Sequence, residues 1–138
     1  MHDLAALIAM ASLGGMLFFS AVVTPSLFHA LNAEQAGRFL RFVFPRYFLV
    51  HGAMAAIAGV LALSASAFVA AGLMFAAACI LFATRAFAVP IINASRDAMM
   101  AGDGQATARF NRWHGGSVAA NLVEMAALAI AIYLLITA

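Results

Sequence analysis

The sequence predicts an all-α fold, a four-helix transmembrane bundle with short amphipathic interfacial helices in its two cytoplasmic connections. Three observations carry the prediction. The chain has 138 residues, of which 67% are hydrophobic and 9% charged, and its mean hydropathy is +1.05. A single soluble core of this size cannot hide that much apolar surface. The apolar residues fall into four runs, each long enough to cross about 30 Å of hydrocarbon. Finally, there is no lysine, and every arginine lies in or beside the first-to-second and third-to-fourth connections. That asymmetry places those connections in the cytoplasm and both termini outside it.

The spans are expected at about 4–31, 46–63, 67–90 and 115–137 within one transmembrane domain. Met1-His2-Asp3 lacks the basic start of a secretory signal, so the first run reads as a mature helix. Ala11, Ser12, Gly14 and Gly15 make one side of it small, which suits close helix packing, and Pro25 can kink it. Asn32 to Pro45 alternates Arg38 and Arg41 with Phe39, Leu40, Val43 and Phe44, the pattern of an interfacial helix. Pro45 then suits the first turn of the second span. Ser64-Ala-Ser66 is a tight uncharged hairpin before the third span, and Arg85 lies near that span's end. Asn93 to Asn111 is the polar connection, read as helix, turn, helix at the membrane surface. Asn111 is placed to cap the fourth span, with His114 in its first turn. No internal repeat is visible, and the interfacial positions of Tyr47, Trp113 and Tyr133 fit aromatic belts.

The fourth span opens on Phe110-Asn-Arg-Trp-His-Gly-Gly-Ser117 and carries most of the intramembrane polarity. His114, Ser117, Asn121 and Glu124 are separated by steps of three, four and three, which puts them on one helix face. That face must meet protein, because a carboxylate facing lipid costs roughly 2.5–3.5 kcal/mol or more. Glu124 therefore needs a partner or a proton. Arg85 and Asn121 are the candidates, as members of a supporting shell or proton relay with Ser117.

With this topology His51 and His114 enter the bilayer from the same side. Two histidines on different helices are the minimum for bis-histidine haem b, with Arg46 and Arg112 near where propionates would emerge. They equally suit a transition metal ion, each sitting near a helix N-terminus that favours the neutral ring. A redox or metal-handling role follows. Other readings stand beside it: an accessory or scaffold subunit of a larger membrane complex, or an oligomeric transporter of a metal or an anionic solute. Anionic lipids are expected partners of the arginine-rich side, and nucleic acid is not. The chain has no nucleophile paired with a base, no CxxC pair and no phosphate loop, so no reaction is assigned. Its single cysteine, Cys79, excludes an internal disulfide.

Several segments together resemble a known family. They are Gly15-Met-Leu-Phe-Phe-Ser20 with Pro25-Ser-Leu-Phe28, Val43-Phe-Pro-Arg-Tyr-Phe48, and Phe110-Asn-Arg-Trp-His-Gly-Gly-Ser117 with Asn121-Leu122. In this order they resemble the transmembrane protein 205-like family. The resemblance implies a four-span membrane domain and a place in the motif for His114, Ser117 and Asn121; the location expected for the chain is a bacterial inner membrane. A eukaryotic branch of that family is linked to the handling of platinum drugs.

Overall fold

A computed structural model describes residues 1–137 as four long helices. These are α1 (His2–Ala30), α2 (Ala33–Ser64), α3 (Phe68–Met100) and α4 (Gly104–Ile136), each long and apolar enough to cross a membrane. No strand interrupts them among the described residues. The chain is an integral membrane protein folded as a four-helix bundle.

The two proline-bearing odd helices share a local device. In α1 a π-helical turn at Phe19–Val23 precedes Pro25, and in α3 another at Thr84–Ala88 precedes Pro90. Proline lacks an N–H and crowds the carbonyl four residues back, so the wider π register lets the helix pass it unbroken. Thr24 closes the first turn twice over: its backbone N–H and, at 3.0 Å, its hydroxyl both donate to the Phe19 carbonyl. The sequence displays no repeat, yet each π turn ends two residues before its proline. The backbone thus treats the α1–α2 and α3–α4 hairpins alike.

The connections are shorter than the sequence suggests. Asn32 and Gln35 form a reciprocal capping box at the start of α2, with bonds of 2.9 and 3.2 Å. Pro45 does not begin a helix but lies inside α2, so the expected interfacial helix is an extension of the second span. The missing Pro45 N–H leaves the Arg41 carbonyl without its helical donor, and beside this point Arg85 of α3 donates to the Pro45 carbonyl at 3.0 Å, tying α3 to α2. The Asn93–Asn111 connection likewise reduces to Ala101-Gly102-Asp103, where Gly102 takes φ +92°. Asp103, not Asn111, caps α4, accepting from the Gln105 N–H at 2.9 Å. His114 is therefore well inside α4, about two turns further from its helix start than a cap at Asn111 would leave it. At the opposite end, Ser66 adopts φ +62° in the tight 64–66 hairpin. His2 bonds the Ala65 carbonyl there at 3.0 Å, so the chain's start meets this hairpin.

A helix of 33 residues is about 50 Å long at 1.5 Å per residue, some 20 Å more than the hydrocarbon is thick. The excess extends at the arginine-rich end, where side chains tie the helices together. Arg41 pairs with Asp97 at 2.5 Å, Arg96 donates to the Ala33 carbonyl, and Arg109 donates to the Ser95 hydroxyl at 3.0 Å. Within the membrane the core is built from small residues. Ala55, Ala58 and Ala62 of α2 and Ala70, Ala71, Ala77 and Ala78 of α3 are buried, allowing close backbone approach. Two bare spots on α2, Gly52 and Gly59, receive the rings of Phe82 and Phe75. A Cβ at Gly52 would come within 2.8 Å of the Phe82 ring, and one at Gly59 within 3.0 Å of Phe75. Leu7, Leu17, Phe68, Phe87, Val123 and Ile136 face outward as the lipid surface.

Candidate functional site

A line of buried polar groups crosses the bundle core between α1, α2 and α4. Ser12 of α1 is fully buried, and its hydroxyl lies 2.9 Å from Nδ1 of His51 on α2. The His51 ring rests edge-on against Tyr47, one turn earlier on α2, with centroids 4.5 Å apart. Tyr47 donates its phenol proton to Oδ1 of Asn121 on α4 at 3.0 Å. One turn along α4 is Glu124, 0% exposed, and neither of its carboxyl oxygens has a hydrogen-bond partner. Local geometry explains the alignment: Tyr47 and His51 are four apart and Asn121 and Glu124 three apart, so each pair shares a helix face.

Beside this line is a cavity of about 270 Å³. Its walls come from the π-turned half of α1 (Phe19, Ser20, Thr24, Phe28), from α2 (Leu40, Phe44, Tyr47, Phe48) and from α4 (His114, Ser117, Val118, Asn121, Leu122). Phe19, Phe44, Tyr47 and Phe48 pack on one another with ring centroids 5.1–6.2 Å apart. Phe28, Val118 and Leu122 are exposed on the bundle's flank, so the mouth opens toward the bilayer. Tyr47 and Asn121 belong to both the cavity wall and the polar line.

The predicted face of α4 holds together: His114, Ser117 and Asn121 line the cavity, and Glu124 continues inward from them. The two histidines, however, have separate partners. His51 turns to Ser12 and is not on the cavity wall, whereas His114 is exposed and stacks on Phe110 at 5.4 Å. The physical reason is that α2 and α4 are diagonal in the bundle: His51 is turned toward Ser12 and Gly15 of α1, and His114 is on the outer side of α4 beside Phe110. Ser117 donates to the His114 carbonyl at 2.8 Å. Arg85 does not reach Glu124, being spent on the Pro45 carbonyl. Arg46 donates to the Phe42 carbonyl at 2.9 Å and covers the Phe42 ring at 3.7 Å. Arg112 is exposed. Among the described residues no group of three or more His, Cys, Asp or Glu side chains is placed to hold a metal ion.

Two members of the line, Ser12 and Tyr47, escape the sequence reading. Ser12 reads as a small packing residue, and its histidine partner is 39 positions away. Tyr47 follows Arg46 and so reads as interfacial; its i, i+4 relation to His51 is the one local signal that could have recovered it.

Residues 7–101 match the model of a domain of unknown function, DUF4149. The chain belongs to the DUF4149 family. No curated protein and no solved structure matches it. The DUF4149 match spans α1 to α3 with both π turns, and includes Ser12, Tyr47 and His51. It ends at the turn before α4, so His114, Ser117, Asn121 and Glu124 lie beyond it.

Proposed function

We propose that this DUF4149 protein binds a small lipophilic molecule carrying hydrogen-bond-accepting oxygens, taken from the bilayer into the cavity between α1, α2 and α4. The composition of that cavity is the observation that carries the reading. Its aromatic walls suit a ring, and the Asn121 amide and the His114 imidazole supply N–H donors at one side. A volume near 270 Å³ is at the lower edge of the roughly 300–1,000 Å³ typical of small-molecule sites, so the occupant is a head group or a small ring. A π turn in the wall is in keeping with this, since such turns recur at functional sites. The protein belongs, on this reading, in a bacterial inner membrane with its arginine-rich end in the cytoplasm. The finer resemblance to the transmembrane protein 205-like family has its most specific segment, Phe110–Ser117 with Asn121-Leu122, outside the matched range.

The test is to purify the protein in mild detergent and compare the organic extract, absorption spectrum and metal content with those of Val118→Phe. Val118 borders the mouth and is 48% exposed, so the larger ring fills the cavity without entering the core. A lipophilic oxygen-bearing molecule retained by the wild type and lost from the variant supports the reading. Identical extracts refute it. A Soret band or bound metal lost in His114→Ala would replace it by the haem or metal reading, and co-purification of a stable partner with an empty cavity by the accessory-subunit one.

A further inference from the structure

We propose that Glu124 is a proton-binding site in the bundle core, loaded from the lateral cavity whose wall Asn121 and Tyr47 help to form. The inference rests on the reading of that cavity as a ligand site and adds that its occupancy is coupled to a proton. Three observations lead to it.

Glu124 is completely buried, and neither carboxyl oxygen has a partner. A purely structural carboxyl in a helix bundle would be tied to a donor on a neighbouring helix, because an orphaned polar group costs free energy and contributes no cohesion. The nearest guanidinium candidate, Arg85, donates instead to the Pro45 carbonyl. An ionised carboxylate without a partner in such a core costs several kcal/mol, so the resting group is the neutral acid.

The surroundings of the acid also narrow its role. The helices packed against α4 are α1 and α3; α1 contributes the Ser12 hydroxyl and buried Met16, and α3 buried Met74, Ala77 and Leu81, none of them charged, while the buried titratable groups across the bundle are Tyr47 and His51 of α2. No fixed cation accompanies the acid, so a proton is the charge it can gain and lose. The cavity supplies its access: Asn121, one turn from Glu124, and Tyr47, which donates to the Asn121 carbonyl oxygen at 3.0 Å, both line it. The transfer needs no redox partner. A proton on a cavity molecule or on water there passes to the carboxylate, and the donor is left one charge more negative.

Dicyclohexylcarbodiimide, a lipophilic reagent for protonated carboxyls in membranes, tests this on the full-length protein in detergent at neutral pH. The acid's proton moves to a carbodiimide nitrogen while its oxygen adds to the central carbon, leaving a stable acylurea after rearrangement. We expect one adduct on the peptide containing Glu124, absent in Glu124→Gln. In Val118→Phe labelling should slow by about tenfold or more, since access then waits on local opening of the bundle. No adduct at Glu124 in folded wild-type protein would overturn the proposal. So would equal rates in wild type and Val118→Phe, which would mean that the acid is reached by another path. Circular dichroism and gel filtration establish that each variant is folded. A wild type that labels at the cavity-dependent rate yet retains no lipophilic molecule would sustain the proton site while refuting the ligand reading.

Discussion

Replacing Glu124 by an apolar residue of similar length should make the protein more stable. The wild-type carboxyl is 0% exposed with both oxygens unpartnered, and an orphaned buried polar group costs about 1–3 kcal/mol. Methionine has nearly the same length and reach, and volume-conserving exchanges in a core cost less than about 1.5 kcal/mol. Glu124→Met is therefore expected to gain about 1–2 kcal/mol, and Glu124→Gln, which keeps an orphaned amide in the same space, to change little. The assay is unfolding in mixed dodecyl maltoside and SDS micelles, followed through Trp113, the single tryptophan. Trp113 lies on α4 three turns from Glu124, beside a second shallow cavity with Thr84 and Phe87, so its emission reports on α3–α4 packing. A loss of more than about 1 kcal/mol in Glu124→Met would refute the reasoning, because it would mean that the carboxyl has a partner whose removal costs more than burial returns. Stabilisation with loss of cavity-dependent function is the pattern expected where an acid is kept for activity.

Three further expectations use the same unfolding assay. Gly15→Ala should cost about 1–3 kcal/mol by overpacking, since its Cβ would meet the His51 ring at 3.0 Å, whereas Gly14→Ala, with nothing within 4 Å, should be neutral or gain about 0.5–1 kcal/mol from helix propensity. Equal effects at the two positions would contradict a rotation of α1 that turns Gly15 toward His51 and Gly14 away from it. His51→Ala should cost about 2–4 kcal/mol by leaving a void beside Tyr47 and removing the bond to Ser12, and a cost below about 0.5 kcal/mol would show the contact to be idle. Arg85→Ala should be additive with Glu124→Gln to within about 0.3–0.5 kcal/mol, as expected of groups without a shared partner; a larger coupling would reinstate the ion pair suggested by sequence.

Some of the site was legible because it depends on one helix at a time. The spacing of His114, Ser117, Asn121 and Glu124 puts them on one side of α4 whatever the rest of the chain does, and the energetic cost of a lipid-facing carboxylate turns that side inward. Three of the four line the cavity and the fourth is sealed behind them. Helix ends were harder. Proline and asparagine are local stop or start signals in water, but in a bundle helix packing carries α2 through Pro45, where Arg85 of another helix bonds the Pro45 carbonyl, a contact no local rule anticipates. The rotation of α2 toward α1 and the diagonal placement of α4 then give the two histidines separate partners.

Composition, the four apolar runs and the one-sided arginines by themselves determine that this chain is a membrane bundle with its hairpin and termini at one end. These are sums over many residues, and the hydrophobic effect acts on sums. The tertiary structure alone decides that His51 meets Ser12 instead of His114, that Tyr47 faces inward to Asn121, and that Glu124 has no partner. Each of these depends on the rotation and depth of two helices relative to each other, set by where Gly52 and Gly59 admit the rings of Phe82 and Phe75 and by the π turns that carry α1 and α3 past their prolines. Contacts between positions tens of residues apart are fixed by packing, which no spacing within one helix encodes.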